Sequence, residues 1–130
     1  MSTTAGSPAT LIKLLSRREV AEHTTAFRFE RPPNCTFKAG QCLDMILLDP
    51  PETDAEGNTR TFSVASGPHE ETLMVATRIR DTAFKRVLTA MPVRSSVEIE
   101  GASGNLTLHN NVARTVFVAG GIGITPFRSM

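Results

Sequence analysis

Three glycines within four residues, Gly120-Gly121-Ile122-Gly123, follow the apolar run Val116-Phe117-Val118-Ala119 and precede Ile124-Thr125-Pro126. A continuously apolar run suits a strand buried on both faces of a parallel sheet. Proline fits the first position of a helix, so residues 126–130 read as a helix just beginning. Strand, glycine turn and helix start together make a place for a phosphate or another anion, because glycine allows close backbone approach and the first free N–H groups point at the ligand. Against the dinucleotide fingerprint G-x-G-x-x-G the stretch reads Gly121-x-Gly123-x-x-Pro126, with the third glycine missing. On these residues alone, a phosphate cradle and a glycine-rich connection chosen for tight packing are equally good readings.

Other reactive side chains are less suggestive. Cys35 and Cys42 have six residues between them, which is neither zinc-knuckle nor thioredoxin spacing. Cys42 opens the apolar run 42–48, where a thiol is usually a small core group, so both are expected to be buried structural thiols. His23, His69 and His109 are widely separated and read as loop or surface residues; no metal site is expected. There is no G-x-S-x-G, and no serine has an obvious local base, which argues against a hydrolase.

The elements that must position these residues are short and mostly extended. Residues 2–8 are small and polar and read, with residue 9, as a mobile terminus. Residues 11–15 form the first candidate strand. Thr24–Glu30 is clearer, because Phe27 and Phe29 alternate with Arg28 and Glu30. Pro32 and Pro33 end it. Strands are expected over 42–48, 60–66, 73–80 and 96–100, with a short one at 106–108, and residues 49–59 are a breaker-rich loop. The strong helix signal is Phe84, Val87, Leu88 and Met91 at i, i+3, i+4 and i+7, capped by Asp81 or Thr82 and ended by Pro92. About 110 residues therefore read as a small antiparallel barrel, and the rest as the first strand and turn of an α/β unit. With 130 residues, 40% hydrophobic, 21% charged and a net charge of +1, the chain is globular and carries no nucleic-acid signature. No apolar run approaches a membrane span, and a soluble, cytoplasmic location is expected.

Two motifs, taken together and in order, bring in a resemblance. Arg60-Thr61-Phe62-Ser63 resembles the R-x-[YF]-[ST] stretch of the ferredoxin–NADP reductase superfamily. Residues 118–126 resemble that superfamily's G-G-x-G-[IV]-[TA]-P opening of the pyridine-nucleotide domain. The resemblance covers residues 10–130 and implies a mainly β fold: a six-stranded antiparallel FAD-binding barrel with one helix over 10–111. Residues 112–130 would then be the first strand-turn-helix of a truncated NAD(P)-binding α/β domain.

The resemblance also assigns roles. Arg60 would place its guanidinium on the cofactor's diphosphate, where bidentate donation is strongest. Its ordinary alternative is a surface arginine paired with a loop acid such as Glu56. Phe62, often tyrosine in the family, would stack on the isoalloxazine; otherwise it is a core residue. Ser63 is the implied catalytic residue, its hydroxyl meeting flavin N5, with Thr61 beside it. Ala76, Thr77 and Ile79 would run along the ribityl chain and phosphates. Thr82, Ala83, Phe84 and Lys85 open the helix where the family has a glycine- and serine-containing phosphate loop, a departure that leaves the N–H donors and the helix dipole for the pyrophosphate. Thr125 would sit near flavin and nicotinamide, and Gly120, Gly121 and Gly123 would form the nucleotide-binding turn.

The implied activity is that of an FAD-dependent oxidoreductase that takes hydride from NADH or NADPH at flavin N5. Electrons would then go to an acceptor such as ferredoxin, flavodoxin or another redox protein. Holding FAD, but not most of the NAD(P)H site, is what the resemblance implies for these 130 residues. A non-catalytic flavin- or ligand-binding barrel is the alternative, and a translation- or ligand-binding barrel in which residues 60–66 are only a strand is a third.

Overall fold

The computed structural model describes residues 9–33, 35–104, 106–107, 116 and 118–130. Six strands carry the fold: β1 (Thr10–Ala21), β2 (Thr24–Glu30), β3 (Cys42–Leu47), β4 (Thr59–Ser63), β5 (Thr72–Arg78) and β6 (Ser96–Ser103). All observed pairings are antiparallel, in the order β4-β3-β6-β1-β2-β5. This is the six-stranded arrangement expected for the barrel.

The long β1 holds the two halves together. Thr10–Lys13 pairs with β6, and from Leu14 onward the strand pairs with β2. A register shift between Leu14 and Ser16 bends the strand where it changes partners. The sequence suggests a strand only over 11–15, because beyond Leu15 the chain turns polar; there it is a ribbon whose outer residues are exposed. A further bulge lies where β6 passes β3, and Gly101 takes φ +102° there, a conformation that side chains disfavour.

Alternation fills the interior. Leu14, Phe27, Phe29, Met45, Leu73, Val75 and Val97 are almost wholly buried and pack with Phe84 and Leu88 from the helix. That helix, α1 (Ala83–Ala90), starts at Thr82, whose hydroxyl accepts from the Lys85 N–H at 3.4 Å. Asp81 instead pairs with Arg86. At the other end Arg17 of β1 donates to the carbonyls of Leu88, Thr89 and Met91, which supplies the positive charge the last turn lacks.

After the barrel, Gly121–Ile124 forms a 3-10 turn, η1, that leads into the short α2 (Thr125–Ser129) with Pro126 in its first turn. α2 is docked on the barrel: Ser129 Oγ donates to the Ser66 carbonyl at 2.7 Å, and Arg128 to the Ala65 carbonyl and to Glu70, each at 2.9 Å.

The strand expected over 116–119 is not formed by its described residues. Val116 and Val118 are each 86% exposed, and Ala119 is exposed too. A parallel strand needs a neighbour and covering layers, and the six described strands bond only to one another. At 106–108, Leu106 and Thr107 form no strand, and Leu108 lies outside the described residues, as do His109, residues 1–8 and residues 110–115.

Cys35 and Cys42 are free and half-buried rather than fully enclosed. Burial pushes the Cys35 thiol up against the opposing pull of Arg31. His23 and His69 are exposed. Among the described residues, no helix is long and apolar enough to cross a membrane, and no cluster of His, Cys, Asp and Glu is placed to hold a metal ion.

Candidate functional site

β4 and β5 are the two edges of the sheet. Just past β4 they are tied, with Ala65 N–H donating to the Met74 carbonyl at 2.7 Å and Met74 N–H to Ser66 Oγ at 2.9 Å. Beyond that tie the edges diverge, and no ladder joins β4 to β5 among the described residues. The gap is a cleft of about 510 Å³, floored by the start of α1 and overhung by η1.

Both faces of β4 contribute to this cleft. Arg60 and Phe62 point to the α1 side, while Thr59 and Thr61 are exposed and Ser63 is half-buried. Arg60, Thr61, Phe62 and Ser63 all line the cleft. Across from them stand Ala76, Thr77 and Arg78 of β5. Thr82 and Lys85 stand at the α1 end, and Gly123 and Thr125 on the η1 side. Ten of the residues singled out from sequence are thus brought together.

The others lie behind or beside this lining. Phe84 is buried beneath it, its ring 5.9 Å from that of Phe62 and under the Arg60 guanidinium at 5.1 Å. Phe62 itself is only 8% exposed and belongs to the core as well as to the wall. Ala83 is buried, and Ile79 is half-buried against the core. Gly120 precedes η1 and Gly121 begins it. A Cβ on Gly120 or Gly123 would meet nothing within 4 Å, and neither takes a positive φ. Tight packing within the described chain therefore does not account for these two glycines.

The cleft is cationic. Arg60 spends Nη1 on the backbone carbonyls of Glu56 (2.9 Å) and Thr59 (2.8 Å), which fixes the guanidinium. Its Nη2 is buried and has no hydrogen-bond acceptor. Glu56 Oε1 at 3.6 Å and Asp54 Oδ1 at 4.0 Å lie near it as charges only. The loop acids named as the ordinary alternative for Arg60 are therefore its neighbours, and Nη2 is left without a hydrogen-bond acceptor.

Lys85 Nζ donates to Thr77 Oγ1 at 2.7 Å and to the Arg78 carbonyl at 2.6 Å. Burial, followed by the charges of Arg80 and Arg60, pulls this ammonium group below the usual lysine range. Arg78 and Arg80 also line the cleft and belong to neither sequence motif, as does Glu56, the one acid among its described lining residues. The available signal was the alternation Thr77-Arg78-Ile79-Arg80, which turns both arginines outward at the end of an edge strand.

A second cleft of about 580 Å³ lies on the other side of Ala76 and Thr125. Although it is larger, its walls are mainly apolar (Val20, Met74, Ile122 and Ile124 among them), with Arg78 and Arg128 at its edge. An anion with an attached apolar ring system is matched better by the first.

Comparison with known proteins bears on the fold directly. The ferredoxin–NADP reductase of Plasmodium falciparum with 2′P-AMP superposes with a TM-score of 0.80 at 18% identity, covering 93% of this chain and 50% of that one. The fold is that of the ferredoxin–NADP reductase superfamily. Another reductase of this fold, from Neisseria gonorrhoeae with bound FAD and NADP, matches with a TM-score of 0.74 at 24% identity over 95% of this chain and 50% of its own. Among curated sequences, methane monooxygenase component C of Methylosinus trichosporium is 34% identical over 97 residues, and phenoxybenzoate dioxygenase subunit beta of Ectopseudomonas oleovorans is 31% identical over 98. Each alignment takes in 72% of this chain, which spans 27% and 28% of those two relatives. No protein-family model matches the sequence. In ferredoxin–NADP reductase terms, the described chain corresponds to the β-barrel, with η1 and α2 packed on it.

Proposed function

We propose that the cleft between β4 and β5 binds FAD, and that the chain is the flavin-carrying part of an NAD(P)H-dependent oxidoreductase. The observation that carries this reading is the buried Nη2 of Arg60, which has no acceptor and stands beside Lys85 and the first turn of α1. A buried charged donor without a partner is costly, and a diphosphate would supply its acceptor. The bound FAD and NADP in the Neisseria gonorrhoeae reductase of the same fold support the choice of ligand.

Each residue then has a definite part. Arg60 and Lys85 hold the diphosphate, with Thr77 and Thr82 contributing hydroxyls. Phe62, braced by Phe84, forms the apolar wall against the ring system, and Ser63 presents its hydroxyl to flavin N5. Ala76 leaves room on the opposite wall, while Ile79, Ala83 and Phe84 support the lining from behind. FAD, when bound, supplies the conversion between hydride chemistry and single-electron transfer, which no side chain can perform. Thr125, with Gly120, Gly121 and Gly123, lies on the side from which NADH or NADPH would approach, and the open backbone at Gly120 and Gly123 suits a nucleotide phosphate. In this reading residues 10–111 are the flavin domain, 112–130 open a nucleotide domain, and a separate redox protein accepts the electrons.

Titration of the purified chain with FAD tests the reading: quenching of flavin fluorescence is expected, and its absence would overturn it. Replacing Arg60 by Ala should weaken FAD binding by about 1.5–3 kcal/mol, the range for a hydrogen bond to a charged group. Unchanged affinity would remove Arg60 from the diphosphate site. If flavin binds but NADPH never bleaches it without oxygen, even in the longest natural form of the chain, the non-catalytic barrel becomes the better account.

A further inference from the structure

Arg60, assigned above to the diphosphate, already has a carboxylate beside it, behind the lining of the cleft. Asp54 belongs to the loop between β3 and β4. Its Oδ2 accepts from the Ala83 N–H, the first residue of α1, at 2.9 Å. Its Oδ1 accepts from the Glu56 N–H at 3.0 Å and faces Arg60 Nη2 at 4.0 Å. A side-chain carboxylate thus takes a helix-terminal N–H and places its charge beside a guanidinium without bonding to it, the two kinds of group that a phosphate uses. The backbone donors from Ala83, and then Glu56, hold the Asp54 carboxyl below its usual range.

We propose that Asp54 is an internal stand-in for the ligand's phosphate, and that a diphosphate-bearing ligand binds by displacing it. This inference rests on the reading of the cleft given above. With Asp54 in place, an arriving phosphate meets the negative charges of Asp54 and Glu56 and finds the Ala83 donor taken. With Asp54 withdrawn, the Ala83 N–H becomes free beside Arg60 Nη2, which already lacks an acceptor, and the competing negative charge leaves the same place.

The loop is built to allow that exchange. Residues 51–56 are all exposed. At the base, the Leu47 N–H donates to the Asn58 carbonyl at 2.9 Å and Asn58 Nδ2 to the Leu47 carbonyl at 3.1 Å. Gly57, at φ +80° with open space around it, closes a turn just before this anchor, its N–H donating to the Asp54 carbonyl at 2.9 Å. On the far side the ion pair of Glu52 with Arg86 at 2.8 Å tethers the loop to the outer face of α1. Asp54 can therefore leave while both ends of the loop stay in place.

Calorimetric titration of the full chain with inorganic pyrophosphate and, separately, with FAD tests the proposal on wild type, Asp54→Asn and Asp54→Ser. Serine keeps an oxygen for the Ala83 N–H without the charge, so it guards against simple loss of the cap. Both variants should bind each ligand about tenfold more tightly, and adding Arg60→Ala should remove the gain. Equal or weaker binding by folded variants, with wild type binding FAD, overturns the stand-in and leaves the flavin site intact. A gain for pyrophosphate with no FAD binding by any variant keeps the stand-in and overturns the flavin reading. No binding of either ligand by any variant overturns both.

Discussion

Lys85 holds its ammonium group where charge is disfavoured. Burial and the neighbouring Arg80 and Arg60 pull its pKa below the usual lysine range, while Thr77 and the Arg78 carbonyl accept its protons. A dianionic ligand in the cleft reverses the balance and raises that pKa again. At a pH between the lowered value and the usual one, near 10.4, binding of a diphosphate diester, which stays a dianion there, should draw protons from solution. Titrations in buffers of different ionisation enthalpy would show this uptake, and Lys85→Met should abolish it. Equal heats in all buffers would show that Lys85 does not meet the anion. At this scale the sequence was readable where one short motif held several side chains on one strand, as at Arg60, Phe62 and Ser63. Asp54 was not readable, because its part depends on a loop folding back onto a helix 29 residues further along, and no local pattern records such a contact.

Among the elements, α1 was the most legible, because an apolar stripe at helical spacing suits a helix packed on one face and little else. Its C-terminal cap was not, since Arg17 comes from a strand more than 70 residues away. The apolar run at 116–119, whose described residues form no strand, was hard to read for the opposite reason: apolarity reports a tendency to be covered, not what does the covering. The attachment of α2 was equally hidden from sequence, and it gives an acid-sensitive contact. Glu70 accepts from the Gly67 N–H at 2.6 Å and pairs with Arg128, and these donors hold its carboxyl below the usual range. A carboxyl lowered by folding adds stability above its unfolded pKa of about 4.3, and loses it as pH falls through the folded value. Thermal melts from pH 7 to pH 3 should therefore fall less steeply for Glu70→Gln than for wild type, from a lower start at neutral pH. Parallel curves would show that the Glu70 contacts contribute nothing to the fold.

For the whole molecule, binary alternation along the strands was enough to suggest a barrel, and the core bears it out with Phe27, Phe29 and Phe84 almost wholly buried. Phe27→Ala should cost about 3–5 kcal/mol in chemical denaturation, a large share of the 5–15 kcal/mol typical of a domain. A loss under 1 kcal/mol would mean that the barrel interior collapses around the gap. What alternation could not reveal is where the cylinder fails to close. The edges of β4 and β5 are joined near Ala65 and Met74 and part beyond them. Backbone amides along that parted edge have no ladder partner to slow their exchange with solvent, so deuterium should enter there first. A molecule wedged into the opening would act as a missing stave, bracing the first and last strands of the sheet against each other. Its departure would then set how quickly the barrel opens, and the lifetime of the folded chain would follow the residence time of whatever fills the seam.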